Sequence, residues 1–302
     1  VRIGCAALVL LVVVAITVTI AIPVIRGRQR RQAVQRLEQA GGAVIYAHQS
    51  TDAPPRSAWS TFAAQVLGMD VGPVVYIGAP ERGWTDNHVR LLRYFPEVEG
   101  ITLGPSELSG PLLEALRELK NLRWLSLQAQ AATSKSMAHL KYFPALESVS
   151  ICADLDDDAW QSLAGLKQLT TLALTNCKAS APAPAWFRSA GSRIEQVNLL
   201  GDGDNGPILS ELRGWQSIRT LRMHRVTLDD AAVQSVNSLP ELELLELYFS
   251  QVPAGFSPAA LTGQALQNVE LSRCEVQRDA HSRCSSWKGQ PKIDLSYSTV
   301  VD

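Results

Sequence analysis

Chemistry-bearing motifs are scarce in this sequence. Its 302 residues include five cysteines and five histidines. Cys5 lies in an apolar run, and Cys152, Cys177, Cys274 and Cys284 are irregularly spaced with no C-x-x-C. That argues against zinc or thiol redox chemistry and fits a reducing compartment better than a disulfide framework. His48, His88, His139, His224 and His281 form no H-E-x-x-H, and neither a G-x-S-x-G elbow nor a P-loop occurs. The run Gly201–Gly206 resembles a calcium loop only superficially. Counted from Asp202, its fifth position is Gly206 and its twelfth is Arg213, where acids are needed. It reads as a strand-to-helix turn. No catalytic residue, metal ligand or cofactor is expected. Charged residues are only 19% of the chain, which excludes a disordered polyelectrolyte.

Acidic residues are absent from one stretch. Residues 1–36 hold six arginines (Arg2, Arg26, Arg28, Arg30, Arg31 and Arg36) and no acid. Residues 37–302 hold 22 basic against 29 acidic residues, an acidic body that argues against general nucleic-acid binding. Charge of either sign is missing from Ile3 to Ile25, a run of 23 residues. At ~1.5 Å per residue a helix of that length covers about 34 Å, enough to cross a bilayer core of about 30 Å. A cleaved signal peptide is the rival reading, but its apolar region is usually shorter and ends at a better small-x-small site than Thr19-Ile20-Ala21. Residues 1–27 are therefore expected to be a single-pass transmembrane anchor with a basic flank. The positive-inside rule then puts the following chain on the cytoplasmic side. Residues 28–70 read as a juxtamembrane helix and N-terminal cap. Ala33, Val34 and Leu37 give that helix an apolar stripe, and Gly41 offers it a left-handed stop.

What the sequence has in abundance is repetition. An apolar-x-x-apolar-x-apolar pattern recurs, as in Leu122-Arg123-Trp124-Leu125-Ser126-Leu127 and Leu146-Glu147-Ser148-Val149-Ser150-Ile151. Its last apolar position falls at 77, 103, 127, 151, 174, 199, 223, 247, 271 and 295, in steps of 23 to 26. Each unit has a second half. An i, i+3 apolar pair such as Leu140/Phe143, Leu163/Leu166 or Leu212/Trp215 marks one face of a short helix. Asp86, Ser134, Asp157 and Asp230 stand at its expected N-cap, and Pro96, Pro144 and Pro240 stop it before the next strand. Each unit reads strand, turn, helix, turn, and buries its apolar face only by stacking on its neighbours.

The motif L-x-x-L-x-L at this period resembles the leucine-rich repeat family over about 71–302. The resemblance implies an α/β leucine-rich repeat solenoid of about ten units, with a parallel concave sheet and short convex helices. The family's Asn/Cys position is Cys177 and Cys274 here but Gln130, Asp154, Asp202, Val226 and Ser250 elsewhere, so a regular buried ladder at this turn is not expected. Ala179–Ala190 and Pro253–Gly263 are expected to be irregular convex loops. The Arg-rich flank, Gly41-Gly42 and Val44-Ile45-Tyr46 resemble a narrower group, bacterial single-pass proteins carrying such repeats. There the short strand would cap the first repeat.

Alternation along the strands sends the leucines inward and leaves the residues between them on the concave face. Glu246, Glu270 and Asp294 then fall in one column with Arg222 beside Glu246. Like charges at about 4.8 Å spacing repel, and the fold does not require them. That column is the best candidate site, suited to a basic peptide or a cation, against the alternative of a solvated face with Arg222 and Glu246 simply paired. Trp124, His224 and Tyr248 join it as candidate partner-binding residues, since exposed aromatics often anchor partners. Trp160, Trp215 and Cys284 are assigned to the core. The expected function is non-catalytic recognition of a protein or peptide by the concave sheet. The alternatives are a membrane scaffold without a defined ligand, or an enzyme using His224 and Glu246.

Overall fold

The computed structural model describes residues 22–47, 73–80, 83–104, 110–127, 137–152, 156–177, 193–201 and 206–302. Most of the apolar run, the cap at 48–70, the loop 179–190, Ser134, Gln130, Asp154 and Asp202 lie outside them. Among the described residues no helix is long and apolar enough to cross a membrane. The chain divides into two compact units, one up to Gly104 with residues 109–122, the other chiefly from Arg123 to Asp302.

The first unit opens with α1 (Ile22–Gln39). Ala33, Val34 and Leu37 are buried on one face, as their spacing predicts. Gly41 ends the helix at φ 81°. Its N–H donates to the Glu38 carbonyl, and the Gly42 N–H donates to the Leu37 carbonyl at 2.9 Å. This paired closure needs a left-handed residue, which glycine adopts without steric cost. Arg30 pairs with Glu97 and lies 5.5 Å from the Phe95 ring centroid, which ties α1 to the Leu92–Tyr94 turn.

Strand β1 (Val44–Tyr46) pairs antiparallel with β2 (Val74–Ile77), and β2 pairs parallel with β3 (Gly100–Leu103). The register corrects the sequence alignment of the first unit. Ile77 faces Ile101, not Leu103, so the apparent 26-residue step is a 24-residue step read two residues late. Helices α2 (Asp86–Val89) and α3 (Gly110–Arg117) complete this unit.

Among the described residues the main sheet of the second unit has eight parallel strands in chain order. They are β4 (Trp124–Leu127), β5 (Ser148–Ile151), β6 (Thr171–Thr175), β7 (Gln196–Leu200), β8 (Thr220–His224) and β9 (Leu244–Tyr248), then β11 (Asn268–Ser272) and β13 (Lys292–Asp294). Their register follows the repeat: Leu127 faces Ile151, Ile151 faces Leu174, and Leu247 faces Leu271. A second, three-stranded parallel sheet was not apparent from the sequence. It joins β10 (Gln251–Val252), β12 (Glu275–Gln277) and β14 (Thr299–Val301) at the turn side of the last coils.

The convex layer is α4 (Asp157–Ala164), α5 (Gly206–Glu211), α6 (Asp230–Asn237) and α7 (Arg278–Ser286), with 3₁₀ turns at Ala138–Tyr142 and Pro258–Ala260. The second of these turns lies in the Pro253–Gly263 connection, whose remaining residues are irregular as expected. Two N-caps fall one residue earlier than expected. Thr85 caps α2, and the Asp229 carboxylate accepts the Ala232 N–H at 2.9 Å at the start of α6. Trp160 and Trp215 are fully buried. Each removes roughly 200 Å² from water, about 5 kcal/mol of transfer free energy.

Where the strand exit is described, from β6 onward, each coil leaves its strand through one left-handed residue. These are Asn176, Gly201, Arg225, Phe249, Arg273 and Tyr297. A Cβ at Gly201 would fall 2.0 Å from Asn176 Oδ1, so only glycine fits there. The turn aims the next side chain inward, but the ladder there is partial, since Val226 carries no donor and the Ser250 hydroxyl donates to the Tyr248 carbonyl of its own coil at 3.0 Å. The Cys177 thiol donates to the Ile151 carbonyl at 3.3 Å, and the Cys274 thiol to the Leu247 carbonyl at 3.3 Å. Ser298 donates to the Leu271 carbonyl at 2.5 Å. Thiols and a hydroxyl thus bond back across one coil, each satisfying the carbonyl of a strand-ending residue.

Candidate recognition surface

The outward residues of β4–β9, β11 and β13 form rows in register. The central row is Ser126, Ser150, Ala173, Asn198, Arg222, Glu246, Glu270 and Asp294. The acidic column exists as a register feature, but it is not an open acidic face. Glu246 is 7% exposed and pairs with Arg222 on the adjacent strand, so the paired alternative holds at this position. A carboxylate between strands loses hydration and needs a cation in contact. Arg222 supplies it while keeping 40% of its own side chain in water. Glu270 is half-buried and Asp294 exposed. The Asp294 carboxylate sits below the usual range because it accepts from the Ser296 hydroxyl at 2.5 Å and the Ser296 N–H at 2.8 Å.

The next row along the strands brings His224 opposite Tyr248. Their rings lie 5.3 Å apart, and His224 meets the Phe249 ring edge-on at 6.1 Å. Arg273 lies over the other partner of this group, its guanidinium 5.6 Å from the Phe249 centroid. Phe249 is 48% exposed and Tyr297 86%. His224 and Glu246 lie on neighbouring strands, but Glu246 is taken by Arg222 and His224 by aromatic rings.

The residues missed by sequence reasoning are Arg225, Phe249, Arg273 and Tyr297. They stand one per coil at the left-handed strand exit. Asn176 and Gly201 fill that position in earlier coils, as the backbone prefers. A bulky side chain there costs about 1–2 kcal/mol. The signal available was the residue preceding each Asn/Cys position of the repeat. Trp124 stands on β4 at the start of the second unit, 45% exposed, with Ser148 beside it.

The cysteines are free thiols among the described residues. Burial raises Cys274 above the ordinary thiol range, only partly opposed by a hydrogen bond from the Ser250 backbone. Burial also pushes Cys284 up to about 11, against the nearby Arg283 charge. Neither is a nucleophile at neutral pH. Among the described residues no group of three His, Cys, Asp or Glu could hold a metal ion.

The period, the L-x-x-L-x-L strands and the parallel register define a leucine-rich repeat fold. No family model and no curated protein matches the sequence. Among solved structures the chain is similar to TLR13 in its complex with ssRNA13, at 15% identity and a TM-score of 0.45. That match covers 71% of this chain and 35% of TLR13, so this chain spans about a third of that protein's length. It is also similar to an internalin of Listeria monocytogenes, at 13% identity, TM-score 0.36, and 81% and 90% coverage. A third is a leucine-rich repeat protein of Leptospira interrogans, at 12% identity, TM-score 0.35, and 72% and 70% coverage.

Proposed function

We propose that this protein is a non-catalytic, membrane-anchored recognition module that binds a protein or peptide along the outward face of its repeats. The observation that carries the reading is the strand-exit column Arg225, Phe249, Arg273 and Tyr297, flanked by His224 and Tyr248. The turn needs only Asn or Gly, yet these bulky residues hold a left-handed conformation there and leave two rings exposed. Strain of this kind concentrates where a surface is used, and Arg and aromatic side chains are the types that dominate binding energy. Trp124 and the carboxylates Glu270 and Asp294 extend the surface on the same sheet. The partner is an extended segment that lays rings against Phe249 and Tyr297 and a carboxylate against Arg273, in place of the basic peptide expected from the acidic column, whose Glu246 is already paired with Arg222.

The anchor is Ile3–Ile25, and the repeats face the cytoplasm. The supporting features are the uncharged length of that run and the arginines that follow it. Protease protection on intact membranes tests the side, since cytoplasmic repeats are digested only when the cytoplasmic face is accessible. Recognition is tested by selecting displayed peptides on the full chain. The selected peptides are expected to lose at least 30-fold in affinity for Phe249→Ala/Arg273→Ala with the circular dichroism spectrum unchanged. Equal binding to both forms would refute the column as the site.

A further inference from the structure

We infer that the groove between α1 and the Asn87–Tyr94 segment is a phosphate site that holds an anionic phospholipid headgroup. This rests on the membrane reading above but concerns a different surface. The groove has a volume of about 580 Å³ and lies wholly within the first unit. Gln29, Gln32 and Arg36 line it from α1, and His88, Arg90 and Arg93 from the other wall. Its lining contains three arginines and no carboxylate, although residues 37–302 hold 29 acids against 22 basic residues. Amide and guanidinium donors without an acceptor of matching charge suit an oxyanion, which arginine binds through two parallel N–H bonds.

Arg93 is held in place, donating to the Tyr94 hydroxyl at 2.8 Å with its guanidinium 4.9 Å from that ring. Arg36 and Arg90 take part in no ion pair among the described residues. Arg90 and Arg93 also line a second groove, of about 380 Å³, on their other side, and the carboxylates Asp86, Glu114 and Glu118 line that one. The lipid is favoured over a free anion by position. Gln29 follows the end of the apolar run by four residues, roughly 6 Å along a helix, and Arg36 by eleven, roughly 16 Å. Gln29, Gln32 and Arg36 are spaced i, i+3, i+7, so one stripe of α1 presents the donors of the groove together. The groove therefore opens beside the headgroup layer, roughly 6–16 Å beyond the apolar run, and the arginines that line it are drawn to its phosphates.

The full chain in neutral detergent micelles is titrated with dansyl-phosphatidylglycerol, and energy transfer from protein tryptophan gives the half-saturating mole fraction. Arg36→Gln/Arg90→Gln is expected to raise it about 30-fold, two arginine–phosphate contacts being lost. Arg26→Gln/Arg28→Gln, outside the groove lining, is expected to raise it less than 5-fold, and dansyl-phosphatidylcholine is expected not to saturate. Equal effects of the two double variants would overturn the groove as the site. Displacement of the lipid by 10 mM inorganic phosphate at matched ionic strength would overturn the headgroup as its occupant. Alkaline carbonate extraction separates the two readings. Release of the chain from membranes overturns the anchor and the headgroup with it. Retention in the membrane with unchanged lipid titration overturns the groove alone.

Discussion

Removing one side of the Arg222–Glu246 pair is expected to be far more costly than removing the other. Glu246 keeps 9% of its side chain in water and Arg222 keeps 40%. In Arg222→Ala the carboxylate stays between strands without its cation, and Glu270 faces it on the next strand. Breaking a fully buried pair costs about 3–5 kcal/mol, and the exposure of Arg222 lets water repay part of that, so about 2–3 kcal/mol is expected. In Glu246→Ala the guanidinium turns to water, and the loss is about 1 kcal/mol or less. The double variant is expected to be more stable than Arg222→Ala, because the stranded carboxylate is gone. Urea unfolding followed by tryptophan fluorescence measures all three. With a slope of about 3 kcal/mol/M, Arg222→Ala lowers the midpoint by roughly 0.7–1 M. Equal losses for the two single variants, or a loss below about 0.5 kcal/mol for Arg222→Ala, would refute the reasoning.

Further expectations concern separate parts of the chain. Asp229→Ala removes the N-cap of α6 and is expected to cost about 1 kcal/mol, read as faster hydrogen exchange at the first amides of that helix. Trp160→Ala is expected to cost about 3–5 kcal/mol in urea unfolding, since the indole is fully buried. Among the described cysteines, half-buried Cys152 is expected to react first with iodoacetamide, and Cys177, Cys274 and Cys284 only after denaturation. The raised Cys284 makes stability fall with alkalinity. The thiol loses its proton in the unfolded chain near the ordinary value but holds it when folded until about 11, so this contribution is complete below the ordinary value and fades between the two. Cys284→Ala is expected to flatten that alkaline slope. Asp294 behaves oppositely: its depressed value adds stability above the usual carboxylate range, lost as the pH falls. In Ser296→Ala an NMR titration of Asp294 is expected to move up toward the ordinary value.

The repeat was legible because its signal is burial. Leu127, Ile151, Leu174 and Leu199 recur where a side chain must leave water, and the register of β4–β7 follows from them directly. The first unit was misread by two residues because Ile77 is the last large apolar residue of β2 yet pairs with Ile101, and the position 24 residues before Leu103 is only Ala79. Alternation correctly put Glu246 on the outward row. It could not show that a long side chain there lies against Arg222 and is covered, because solvent access depends on the neighbouring strand. The strand-exit column was harder to read for a related reason. Asn176 and Gly201 advertise a left-handed turn, but Arg225, Phe249, Arg273 and Tyr297 do not, and only their place before each Asn/Cys position marks them. The sheet β10–β12–β14 has strands of two or three residues, too short for a periodic signal.

The most direct test of the recognition surface is hydroxyl-radical footprinting of the full chain with and without a selected peptide. The account predicts that Tyr248, Phe249 and Tyr297 become protected while Tyr142, exposed on a convex turn, keeps its oxidation rate. Protection of Tyr142 with no change at Phe249 and Tyr297 would contradict it.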